Sequence, residues 1–114
     1  MPGPVTLSVA DHIATVTLDR PPVNAVDREA LAAIRDTFRS LEDRRDVRAA
    51  VFTAAGSRAF MAGADLNAID TAPGDPAPPS EVIDRGRVAR DAMWAVVDCP
   101  VPVVGAINGP AIGA

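Results

Sequence analysis

The chain has 114 residues, 48% of them hydrophobic and 23% charged, which suits one small domain or part of a larger one and argues against wholesale disorder. A net charge of −4 excludes a basic nucleic-acid coat, and Pro, Gly, Asp and Arg break every apolar run well short of the ~18 residues a membrane helix needs. Met1-Pro2-Gly3-Pro4 has no basic patch and no apolar stretch, so no secretory signal is expected, and the lone Cys99 cannot pair within the chain, which fits a reducing, cytoplasmic compartment.

Val5–Val9 alternates apolar Val5, Leu7 and Val9 with Thr6 and Ser8, and reads as a strand. Ala10-Asp11-His12 turns the chain into a second strand, Ile13–Leu18, so the two predict an antiparallel hairpin. His12, the only His, belongs to that turn and has no Ser, Cys or carboxylate in an evident partner role; a solvent-exposed loop residue is expected. Asp19-Arg20-Pro21-Pro22 ends the strand, because Pro has no N–H to give a sheet. Asp27 reads as the N-cap of a helix over about residues 27–42, with Leu31, Ile34, Phe38 and Leu41 as its apolar stripe. The mixed charges of Glu42–Arg48 suit a solvated helix end.

Ala49–Thr53 reads as a short buried strand, parallel to the preceding one through a right-handed helical crossover. Ala54–Ser57 is a turn. Thr71–Ser80 is a Pro-rich surface loop. Ser80 caps a second helix over about residues 81–97, with Val82, Ala89, Met93, Val96 and Val97 as its buried side, Ile83 at the edge of that stripe and Val88 off it. Cys99-Pro100 ends this helix. Val101–Ile107 is a further apolar strand, with Pro102 near its start, and Asn108–Ala114 is a Gly-rich turn. A strand and such a turn normally feed a helix, so the chain reads as a fragment.

Two segments present backbone N–H groups. In Ala62-Gly63-Ala64-Asp65-Leu66, Gly63 allows an unusual φ and a close approach of a ligand to the backbone, and Asp65 can cap the short helix that Leu66 and Ile69 suggest. The Ala64 N–H then lies at a helix N-terminus, which favours negative charge. Gly109–Ala114 repeats the plan: a strand end, small residues, then a helix start. Either segment alone is also what a plain structural turn looks like. Two N–H groups facing one carbonyl oxygen would form an oxyanion hole. No metal-ligand cluster, no nucleophile with its base and no phosphate-cradling motif is present in the sequence. All eleven basic residues are Arg, so a charged phosphate contact would have to use Arg.

Three ordered motifs, Leu18-Asp19-Arg20-Pro21-Pro22-Val23-Asn24-Ala25, then Arg58-Ala59-Phe60-Met61-Ala62-Gly63-Ala64-Asp65-Leu66, then Pro102–Ala114, carry a resemblance to the enoyl-CoA hydratase/isomerase (crotonase) superfamily over essentially the whole chain. The resemblance implies an α/β spiral of ββα repeats, incomplete at its C-terminus, with residues 1–114 as the N-terminal part of one domain. It implies an acyl-CoA thioester as substrate, no separate cofactor, no metal, and a homotrimer or hexamer that engages neither nucleic acid nor membrane. It makes the backbone N–H groups of Ala64 and Ala114 the two oxyanion-hole donors. Ala62, Ala64, Asp65, Leu66 and Asn67 would line the CoA-binding site, Val23 and Ala25 would flank the pantetheine arm, and Arg58 is either a contact for the CoA phosphates or an exposed, purely solvating side chain. The two Glu that perform acid–base chemistry in hydratases of the family would fall past Ala114. Hydration of a 2-enoyl-CoA is the favoured reaction because it is the family's commonest. Isomerase, hydrolase or dehalogenase chemistry, or an inactive acyl-CoA-binding or structural remnant, are the alternatives.

Overall fold

The computed structural model describes residues 3–68 and 76–113. Its backbone is a four-stranded sheet in the order β1-β2-β3-β4, with β1 Val5–Ala10, β2 Ile13–Leu18, β3 Ala49–Ala54 and β4 Val103–Gly105. β1 and β2 form the expected antiparallel hairpin, Val5 opposite Leu18 and Ala10 opposite Ile13. Asp11 and His12 make its turn with φ of 50° and 66°, the left-handed region that two-residue hairpin turns require. β3 lies parallel to β2 and β4 parallel to β3. Helix α1, Arg28–Arg39, connects β2 to β3, and helix α2, Pro79–Val97, precedes β4. No helix among the described residues is long and apolar enough to cross a membrane.

Pleat alternation sets the core. Ala14, Val16 and Leu18 of β2 are fully buried, while Ile13 at the strand start is exposed. α1 buries Ala30, Ile34 and Phe38 against this face, and Leu41 just beyond the helix completes the stripe. Leu31 is only half-buried, and Ala30 takes its place in the core. Asp27 caps α1 as expected, accepting from the Ala30 N–H at 2.8 Å. The helix ends at Arg39 rather than near 42, because after the last α-helical bond, Ser40 N–H to the Asp36 carbonyl, the Leu41 and Glu42 N–H groups bond only three residues back, to Phe38 and Arg39, as a turn.

Three phenylalanines link helix, sheet and the loop beyond β3. Phe38 meets Phe52 edge-on, centroids 5.3 Å apart, and Phe52 meets Phe60 in the same way at 5.4 Å. Such pairs contribute about 0.5–1.5 kcal/mol each beyond their buried area. β3 is less buried than its sequence suggests: Ala50 and Ala54 are in the core, but Val51, Phe52 and Thr53 are half-buried.

The second half of the chain corrects three expectations. α2 begins at Pro79, not after Ser80. Pro suits a first helical position, since its missing N–H would have no partner there, and the Pro78 carbonyl accepts from Glu81 and Val82 instead. Ser80 therefore lies inside the first turn and makes no cap. The buried face of α2 is Val88, Ala92 and Ala95, while Val82, Met93 and Val97 are exposed, reversing the expected assignment of Val88. This helix carries apolar residues on more than one stripe, and packing against α1 selects the one with two alanines, which permits close approach. β4 covers only Val103–Gly105 rather than Val101–Ile107, since Pro102 has no N–H to pair and contributes only its carbonyl, to the Ala50 N–H. Half of the expected Pro-rich loop, residues 71–75, and Ile69 of the expected short helix lie outside the described residues, and Pro79 and Ser80 of that loop belong to α2.

Candidate functional site

The site begins where β2 ends. Arg20-Pro21-Pro22-Val23-Asn24 folds back on itself, with a cis Pro21–Pro22 bond and Asn24 at φ 56°. Asn tolerates this left-handed conformation better than most residues. Its side chain is 3% exposed and fully engaged: Oδ1 accepts from the Arg20 N–H at 2.8 Å, and Nδ2 donates to the Ala55 and Ala59 carbonyls at 3.0 and 2.9 Å. Asn24 thus ties the Arg20–Ala25 turn to both ends of the loop after β3.

That loop carries the glycine segment. Val26 pairs with Ala64 in an isolated parallel bridge, the Val26 N–H donating to the Gly63 carbonyl and the Asp65 N–H to the Val26 carbonyl, both at 2.8 Å. In a trans peptide the carbonyl and the following N–H point in opposite directions. Because the Gly63 carbonyl faces Val26, the Ala64 N–H faces away from it. On the other side of the same segment, Met61 bridges Ala111, with the Ile112 N–H donating to the Met61 carbonyl at 2.9 Å.

The two glycine-bearing bends are therefore neighbours. Gly63 is buried at φ 94°, and a Cβ there would lie 2.6 Å from the Ile112 carbonyl oxygen. Gly113, also at positive φ, packs on the Gly63 Cα, and a Cβ on Gly109 would press on Ala59 and Phe60. The expected unusual φ at Gly63 is observed. The direction its missing Cβ leaves open is filled by the chain's own backbone, the second bend.

Asp65 is half-buried and held from several directions. Its Oδ1 accepts from the Asn67 N–H at 2.9 Å and so caps the 3-10 turn Leu66–Ala68, and its Oδ2 accepts from Arg20 Nη1 at 2.6 Å. The Arg20 guanidinium, then the Asn67 N–H, hold the Asp65 carboxyl below the usual carboxylate range. Arg20 Nη1 also donates to the Ala25 carbonyl at 2.8 Å, and Nη2 to Asp27 Oδ2 at 3.0 Å. A cleft of about 980 Å³ lies between α1 and α2, lined by Val26, Leu31, Ala64, Asp65 and Ala89 among others. Arg28 and Asp84 pair across the two helices at 2.8 Å beside it.

The remaining candidates sort by position. Val23, Ala25 and Ala62 are half-buried around the bridge, while Leu66, Asn67 and Arg58 are exposed. Ala114 lies outside the described residues. His12 is exposed in its turn, as expected, with Nδ1 3.0 Å from the Asp46 carbonyl. Among the described residues no group of three or more His, Cys, Asp or Glu could hold a metal. Two residues quoted only as motif landmarks, Arg20 and Asn24, prove to organise the site. The available signal was an Arg and an Asn placed inside an otherwise apolar turn.

The model of the enoyl-CoA hydratase/isomerase family matches residues 8–114. The chain belongs to that family. Among relatives, it is 43% identical over 114 residues to the Mycobacterium tuberculosis protein named "Probable enoyl-CoA hydratase EchA14", covering 97% of this chain and 41% of the relative. It is 34% identical over 119 residues to (E)-benzylidenesuccinyl-CoA hydratase of Thauera aromatica, covering 96% and 41% respectively. A crystal structure described as an enoyl-CoA hydratase/carnithine racemase from Magnetospirillum magneticum superposes with a TM-score of 0.88 at 32% identity, over 99% of this chain and 42% of that one. The fold is thus the crotonase fold, and the chain spans about two fifths of the length of these hydratase/isomerase relatives.

Proposed function

We propose that this chain polarises the thioester carbonyl of an acyl-CoA, and that the reaction served is hydration of a 2-enoyl-CoA to the 3-hydroxyacyl-CoA. The observation that carries the reading is the packing of the Gly113 bend on the Gly63 bend, with the Ala64 N–H directed away from Val26. One amide from each bend, at Ala64 and Ala114, would then serve a single oxygen. Hydrogen bonds to that oxygen draw electrons from the conjugated double bond, so water adds at the β-carbon and the resulting enolate takes a proton at the α-carbon. Losing one such donor typically costs about 2.7–4 kcal/mol of transition-state stabilisation. In this reading the two proton transfers would fall to carboxylates outside residues 1–114, as the family resemblance leads one to expect. Asp65 is not suited to them, since Arg20 keeps it ionised and occupied.

In this reading Ala62, Asp65, Leu66 and Asn67 line the CoA site, Val23 and Ala25 flank the pantetheine arm, no separate cofactor takes part, and the protein is a cytoplasmic trimer or hexamer. Calorimetric titration with crotonyl-CoA and with CoA tests the binding half. Tighter binding of the thioester than of CoA supports carbonyl recognition, and equal binding overturns it. Loss of the enoyl-thioester ultraviolet absorbance in the same sample tests turnover. Binding without that loss would favour an acyl-CoA-binding role over catalysis by the 114-residue chain.

A further inference from the structure

Arg20 joins three parts of the site: the turn after β2, the start of α1 and the glycine segment. Its side chain is 29% exposed, and its guanidinium donates to the Ala25 carbonyl, to the α1 cap Asp27 and to Asp65. Ala25 and Asp65 stand on either side of the Val26–Ala64 bridge, each adjacent in sequence to one of its members. The fork therefore fastens both strands of the bridge at one edge, and through Asp27 fastens them to the start of a core helix.

We infer that Arg20 is a positioning residue for the Ala64 amide, a role that rests on the acyl-CoA reading of the site for its catalytic meaning. The Gly63–Ala64 peptide is flanked by a glycine at positive φ, which by itself resists rotation poorly. Three restraints oppose rotation: the Val26 N–H on the Gly63 carbonyl, the Asp65 N–H on the Val26 carbonyl, and the Arg20 clamp on the Asp65 side chain. Without the clamp the Asp65 side chain keeps its local contact to the Asn67 N–H, which moves with the loop, and its main chain is held across the bridge by the Val26 carbonyl alone. The amide would then be held by the two bridge hydrogen bonds alone and would sample a wider range of directions, and a donor that must be aimed before reaction loses part of its effect. Lys cannot substitute fully, because a single ammonium does not span three acceptors that a planar fork reaches at once.

The test uses the full 114-residue chain as wild type, Arg20→Gln and Arg20→Lys, with acetoacetyl-CoA and CoA as probes. Acetoacetyl-CoA ionises to an enolate with its own near-ultraviolet band, so the fraction ionised when bound reads oxyanion stabilisation directly and needs no catalytic carboxylate. The expected result in Arg20→Gln is a bound enolate fraction lower by on the order of tenfold at fixed pH. CoA affinity should be unchanged, and Arg20→Lys should recover part of the loss. The ¹⁵N–¹H resonance of Ala64 should move in Arg20→Gln without any ligand. An unmoved Ala64 resonance and an unchanged enolate fraction in a folded Arg20→Gln overturn the inference. If Arg20→Gln does not fold, Asp65→Asn weakens the same clamp while leaving the Ala25 and Asp27 contacts, and must show the same loss of enolate. A wild type that forms no bound enolate, beside an Ala64 resonance that still moves on substitution, refutes the acyl-CoA reading but leaves the positioning of the amide intact.

Discussion

Replacing Gly63 by Ala probes the contact between the two bends with a single methyl group. The added Cβ would lie 2.6 Å from the Ile112 carbonyl oxygen, a backbone atom that cannot swing aside like a side-chain tip. Two costs add. A non-glycine residue at φ 94° is strained by roughly 1–3 kcal/mol. Relieving the overlap requires the bends to separate, which stretches the 2.9 Å bond from the Ile112 N–H to the Met61 carbonyl and forfeits about 0.5–1.5 kcal/mol. The expected total is roughly 2–4 kcal/mol. Gly56→Ala is the internal control, because Gly56 has φ 83° but open space where its Cβ would go, so it should carry the strain alone. Urea denaturation with an unchanged slope gives both values from the shift in midpoint. Equal destabilisation by the two substitutions would refute the close packing of the bends, and with it the geometry on which the proposed oxygen site depends.

Asn24→Ala should destabilise the chain by roughly 2–4 kcal/mol, since it removes three hydrogen bonds and leaves the Ala55 and Ala59 carbonyls to find other partners; thermal melting followed by circular dichroism reads this. Asp27→Ala should cost about 1–2 kcal/mol through loss of the α1 cap, whereas Ser80→Ala should be close to neutral because Ser80 caps nothing. The contrast, measured by chemical denaturation, checks where α2 begins. Asp65 has its carboxyl pKa lowered in the folded chain, so its share of stability is present above the unfolded value of about 3.9 and disappears as pH falls through the lower folded value. Asp65→Asn should therefore flatten the acid limb of a stability–pH profile between those two values, and a limb parallel to wild type would count against the Arg20–Asp65 pair.

The hairpin, α1 with its Asp27 cap and the parallel β3 were all legible because each is decided locally. Pleat alternation, a capping side chain and β-branched runs act within a few residues of themselves. The buried face of α2 was not legible. Its sequence offers Val82, Met93 and Val97 on one stripe and Val88, Ala92 and Ala95 on another, and periodicity alone does not choose between them, whereas close packing on α1 favours the smaller set. The glycine bends were legible as bends, but their mutual contact links Gly63 to Ile112 and Gly113 across a stretch that includes α2 and β4.

The sequence by itself determined the family, the order of strands and helices, and the two glycine-bearing bends, because motifs and periodicity are properties of neighbouring residues. Only the tertiary structure decided what those bends face. The Val26–Ala64 pairing turns the Gly63 carbonyl inward and the Ala64 N–H outward, and Arg20 reaches Asp65 from 45 positions away in the chain. The direction of a peptide plane is set by what its carbonyl bonds to, and that partner is brought by the fold rather than by adjacent residues.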